Sequence, residues 1–106
     1  MKIKSLALLF ATSTDILCSE NARADVARGQ ALSRQWCASC HAVEPGAVVP
    51  NPAAPTFESV AAEPSSTAYS LSVFMRTPHP TMPNFIITSS DIGDIVEYIM
   101  SLKPRR

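Results

Sequence analysis

Residues Cys37-Ala38-Ser39-Cys40-His41 place two thiols three positions apart, with an imidazole immediately after them. Positions i and i+3 share one side of a helical turn, so both sulfurs reach a single flat ligand lying against that turn. The chemistry this spacing fits is thioether formation with the two vinyl groups of a haem, with His41 next in line to bind the iron through a ring nitrogen. Five residues then make three bonds to one cofactor, and a protein that holds iron in this way moves electrons. So short a pattern also arises by chance. It therefore needs three supports: an export signal, a helix leading into the motif, and a second axial ligand downstream.

Export is the first support, because haem is attached to such chains only outside the cytoplasm. Lys2 and Lys4 form a charged start, Leu6 to Ala11 an apolar stretch that Ile16 and Leu17 extend, and Ala22-Arg23-Ala24 an A-x-A cleavage pattern before Asp25. Asp15 interrupts the apolar run. Cys18 suggests a lipid-modification site, but Leu17 before it is bulky where such a site takes a small residue. The stretch falls short of the roughly 20 apolar residues of a membrane span. Residues 1–24 are thus expected to be a cleaved secretory signal, with an uncleaved anchor or lipoprotein as the alternative. Residues 25–106 are expected to be a single domain delivered to the bacterial periplasm, soluble rather than membrane-embedded.

A domain of that length buries a modest core and usually depends on a disulfide, metal or cofactor for stability. A buried haem would serve. Cys18 leaves with the signal, so Cys37 and Cys40 are the thiols of the mature chain, and in an exported protein such a pair is bridged, ligated or modified. Arg28, Arg34, Arg76, Lys103, Arg105 and Arg106 face Asp25, Glu44, Glu58, Glu63, Asp91, Asp94 and Glu97, one carboxylate in excess. That balance excludes the basic patch or stripe of a nucleic-acid binder. The Lys103-Pro104-Arg105-Arg106 tail reads as solvated surface.

The positioning elements read as helices. Nine prolines in 106 residues do not fit sheet interiors, and no stretch has a convincing strand pattern. A first helix starts at Asp25 as N-cap and runs through Gln35 into the motif, with Val26, Leu32 and Trp36 facing inward. A proline-rich loop follows through Pro45-Gly46, Pro50-Asn51-Pro52 and Pro55. A middle helix is expected near Thr67 to Arg76, where Leu71, Phe74 and Met75 share a face. Pro78, Pro80 and Pro83 then stiffen a loop around Met82. Thr88-Ser89-Ser90-Asp91 reads as a capping box. It opens a last helix with Ile92, Ile95, Val96, Ile99 and Leu102 inward, Asp94 and Glu97 outward, and Pro104 as the stop.

Taken together, these residues resemble a small bacterial class I cytochrome c over nearly the whole mature region. Gly29 and Leu32 stand before the Cys-x-x-Cys-His motif as in that family. Met82-Pro83-Asn84-Phe85 is similar to its Met-Pro-x-Phe axial-ligand loop, and Tyr98 to Lys103 to its closing helix. The resemblance implies an all-α fold of about three to four helices around one covalently bound haem c. The first and last helices would cross where Gly29 admits the Tyr98 region. It further implies His41 as proximal iron ligand and a proline carbonyl as acceptor for its other ring nitrogen, with Pro55 the candidate and Pro50 second. Phe57, Leu71, Phe74, Phe85 and Ile86 would line the haem pocket or the core.

For the second axial position Met82 stands out, because it projects from a proline-bounded loop while Met75 and Met100 fall in helices. His79 in Pro78-His79-Pro80 is the alternative. Met/His ligation favours reduced iron and raises the potential. The function expected is one-electron transfer with no catalytic residue, through transient contacts with a redox donor and an acceptor. A haem sensor or catalytic haem would need a labile or histidine sixth ligand. A thiol-disulfide oxidoreductase would need a βαβ pattern, and zinc a second close pair of ligands, neither of which the sequence offers.

Overall fold

The computed structural model describes residues 23–78, 81–83 and 86–105. Four helices are found among them: α1 (Val26–Trp36), α2 (Phe57–Ala62), α3 (Ala68–Arg76) and α4 (Ser89–Ser101), and no described residue lies in a strand. The fold is all-α, as expected.

Each helix begins where a short polar side chain satisfies a free backbone N–H. The Asp25 carboxylate accepts from the Arg28 N–H at 3.1 Å. Thr67 and Ser70 form a reciprocal capping box at α3, and Thr88 accepts from the Asp91 N–H at 3.1 Å to open α4. Helix α2 falls between the proline-rich loop, which the sequence carries to Pro55, and the expected middle helix, where no helix was expected. Its cap, Thr56, accepts from the Ser59 N–H at 3.0 Å while the Ser59 hydroxyl donates back to the Thr56 carbonyl at 2.8 Å. Six residues with one cap fall below the length at which periodicity is legible. In the Glu44-Pro45-Gly46 turn, Gly46 adopts φ +72°, a conformation that favours glycine.

Helix α4 is the organising element, packed against α1, α2 and α3. Its Ile95, Tyr98 and Ile99 join Val43, Phe57 and Ala61 in the core. Fully burying a side chain such as Ile95 contributes about 1.5–3 kcal/mol. The Tyr98 hydroxyl donates to the Val43 carbonyl at 2.7 Å, tying α4 to the segment just after the thiol motif.

Three details depart from the sequence reading. Val26 is largely exposed, and the inward face of α1 is instead carried by Gly29 and Ser33, which are buried, with Leu32 and Trp36 packed against the core. Small residues face inward there because the two helices approach too closely for larger ones. That approach falls at Asp94 and Ile95, one turn before Tyr98: a Cβ added to Gly29 would stand 1.9 Å from the Asp94 carbonyl oxygen and 3.0 Å from the Ile95 nitrogen. Asp94 is also not on the outer face. It is buried, accepting from the Asp25 N–H at 2.7 Å and pairing with Arg28, which reaches Asp91 as well.

Candidate haem site

The end of α1 builds the thiol motif. Cys37 is the C-cap, with its N–H donating to the Ser33 carbonyl at 2.9 Å. The chain then continues in one tight turn, in which the N–H groups of Cys40 and His41 both donate to the Cys37 carbonyl, at 3.2 and 2.9 Å. This turn brings Cys37, Cys40 and His41 together, each half-buried, with both thiols free. Before a haem is attached, burial pushes the Cys37 thiol up to about 11.

His41 Nδ1 lies 2.6 Å from the Pro55 carbonyl oxygen. A carbonyl can only accept, so in a neutral imidazole Nδ1 carries the proton and the free lone pair falls on Nε2. Such a bond fixes both tautomer and ring orientation in iron- and zinc-ligating histidines. The ring also packs against buried Phe57, centroids 5.6 Å apart, and Phe57 in turn lies 6.4 Å from Tyr98. The Phe57 N–H donates to the Ala42 carbonyl at 3.0 Å, so α2 is fastened to the residue after His41 and carries Pro55 into place.

The surroundings fit a flat apolar group. Helix α3 presents Leu71, Val73, Phe74 and Met75 yet buries none of its residues fully within the protein. A shallow cleft lined by Ala38, Ala42, Val43, Ala47, Val48 and Pro50, and by the charged Arg34 and Glu44, reaches His41. Two thiols and an imidazole with its lone pair at Nε2 suit a covalently held haem, while among the described residues no three His, Cys, Asp or Glu side chains gather to hold a metal ion on their own.

The cytochrome c family model matches residues 26–103. The chain belongs to the cytochrome c family. Its cofactor is haem c, bound covalently, and the Cys37 to His41 segment fits the Cys-x-x-Cys-His attachment motif. A curated relative, cytochrome c-552 of Bradyrhizobium diazoefficiens, is 36% identical over 104 residues, covering 98% of this chain and 98% of that protein. No solved structure matches significantly.

Of the other residues singled out from the sequence, Met82 is half-buried in a turn at 81–82, while His79, Asn84 and Phe85 lie outside the described residues. Leu71 packs against the core, whereas Ile86 is fully exposed and belongs to no core. No helix among the described residues is long and apolar enough to cross a membrane. The Arg28–Asp91–Asp94 cluster and the Tyr98–Val43 bond escaped the sequence reading, since each joins residues far apart in the chain with no local pattern to mark them.

Proposed function

We propose that this member of the cytochrome c family is a periplasmic one-electron carrier, released from a leader at residues 1–24, in which Cys37 and Cys40 hold one haem c, His41 is the proximal iron ligand and Met82 the distal one. The single observation that carries the His41 assignment is its Nδ1 contact with the Pro55 carbonyl, which leaves Nε2 as the donor nitrogen directly after two free thiols. The resident haem supplies a reversible one-electron couple at its iron.

The chain's own residues supply attachment, orientation and insulation. Cys37 and Cys40 fix the group to the end of α1 by thioether bonds. Pro55 and Phe57 hold the His41 ring from two sides, so its orientation does not change with the charge it serves. Met82 is a neutral thioether ligand, which favours the reduced state. Leu71, Phe74 and Met75 of α3 provide an apolar wall. A donor and an acceptor meet such a carrier through small, short-lived contacts, which lie at the low end of interface size.

The test is the visible spectrum, ferric and ferrous, of the protein exported from a host with haem-attachment machinery, repeated on Met82→Ala. Covalent haem with the weak long-wavelength ferric band of a thioether–iron bond, lost in the variant, is the expected result. Covalent haem without that band would point to His79 or an open position, hence to sensing or catalysis. Absence of covalent haem would overturn the reading.

A further inference from the structure

Helix α4 buries two carboxylates, Asp91 and Asp94, near its N-terminus, against the first turn of α1. The groups facing that spot are the Asp25 carboxylate and the Arg28 guanidinium from α1, and Asp91 and Asp94 from α4. Arg28 pairs with both α4 carboxylates. Two carboxylates thus share one guanidinium, while the Asp25 carboxylate accepts from the Arg28 backbone N–H. The remaining contact to Asp94 comes from the backbone nitrogen of Asp25, 2.7 Å from Oδ1 across 69 residues of sequence. Arg23, Ala24 and Asp25 are exposed and non-helical, and Asp25 has extended dihedrals, the form in which a chain enters a peptidase cleft.

We propose that leader removal between Ala24 and Asp25 converts this backbone contact into an ion pair, the new α-ammonium of Asp25 docking on Asp94 as a second cation for the cluster. Hydrolysis adds one water: the hydroxyl goes to the Ala24 carbonyl carbon and a proton to the Asp25 nitrogen, which takes a further proton from solvent at neutral pH. Before cleavage the nitrogen is a neutral amide donor. Afterwards it is a charged donor at the same place, and charged hydrogen bonds are roughly twice as strong as neutral ones. Processing is therefore read by the fold, locking the first turn of α1 onto α4 once the leader is gone. The inference rests on the leader reading given above and adds to it the residue that receives the freed amine.

The experiment separates the two. N-terminal sequencing of the exported haem-loaded protein gives Asp25 first if the leader reading holds; any other first residue overturns both that reading and the inference. With Asp25 first, the protein is compared with a form carrying Gly-Gly inserted between Ala24 and Asp25, which keeps the cleavage site but moves the amine away. The unextended form is expected to melt about 4–8 °C higher at pH 7. The ammonium gains a partner on folding, so its advantage is complete below the ordinary α-amine range near pH 8 and is lost as pH rises above it. In an Asp94→Asn background the difference should vanish. If that variant does not fold, the pH dependence of the wild-type pair still decides: equal melting, or a difference unchanged between pH 7 and pH 10, overturns docking while leaving the leader reading intact.

Discussion

Gly29 and Asp94 meet backbone to backbone: the carbonyl oxygen of Asp94 occupies the space in which any side chain at position 29 would begin. Two effects oppose each other at this position. Alanine in place of glycine in a helix interior gains about 1 kcal/mol of propensity. A Cβ at 1.9 Å from a backbone oxygen cannot be accommodated by a rotamer change, so α1 and α4 must separate. Overpacking typically costs about 1–3 kcal/mol, and more when backbone must move. With a net loss of about 1–2 kcal/mol once backbone must move, Gly29→Ala is expected to lower the melting midpoint by about 4–16 °C in a domain of this size. A midpoint equal to or above wild type would show that the crossing is not rigid.

The side chain of the same Asp94 sets an acid limit. The Asp25 N–H, and secondarily Arg28, hold its carboxyl below the usual carboxylate range. A group whose folded value is lowered contributes stability that is present above its unfolded value, near pH 4, and lost as pH falls through the folded one. Asp94→Asn should cost about 1–3 kcal/mol at pH 7. It should also flatten the decline of melting midpoint below pH 4. Urea titrations at pH 7 and pH 3 would check both, and parallel pH profiles for the two proteins would refute the assignment.

Tyr98 sets an alkaline limit of the opposite sign. Burial is the main cause that raises its hydroxyl above the ordinary value, so the folded protein keeps Tyr98 neutral where the unfolded chain ionises. Stability is complete below about pH 10 and falls as pH rises beyond it. Tyr98→Phe removes that dependence and strands the buried Val43 carbonyl, at a cost of about 1–2 kcal/mol near neutrality. Chemical denaturation at pH 7 and pH 11 separates the two effects.

By contrast, the Arg34–Glu44 pair should matter little. Its side chains are 58% and 37% exposed, and exposed ion pairs contribute about 0–1 kcal/mol. Arg34→Ala is expected to change stability by less than about 1 kcal/mol, with the remainder fading in high salt. A loss above about 2 kcal/mol would mean that the pair supports the loop behind the thiol motif.

How much was legible varied with the range of the interaction. Helices α1, α3 and α4 could be read because caps and apolar spacing are local: Asp25, Thr67 and Thr88 each act within three residues. Helix α2 could not, since Thr56 and Ser59 alone mark a segment too short to display a period. Asp94 was misplaced for a related reason. A charged residue on an amphipathic helix defaults to solvent, and only its partners on α1, more than sixty positions away in sequence, keep it inside.

The sequence by itself determined the chemistry: two thiols and an imidazole at fixed spacing fit the motif for covalent haem, because the whole pattern lies within five consecutive residues. It also determined the all-α class, through nine prolines and helical apolar periodicity. Tertiary structure decided which nitrogen of His41 is left to donate, because Pro55 arrives on a separate segment fastened through Phe57 and Ala42. It also decided that α4 crosses α1 at Asp94 rather than Tyr98, because the point of contact between two helices depends on how both pack and not on the pattern within either.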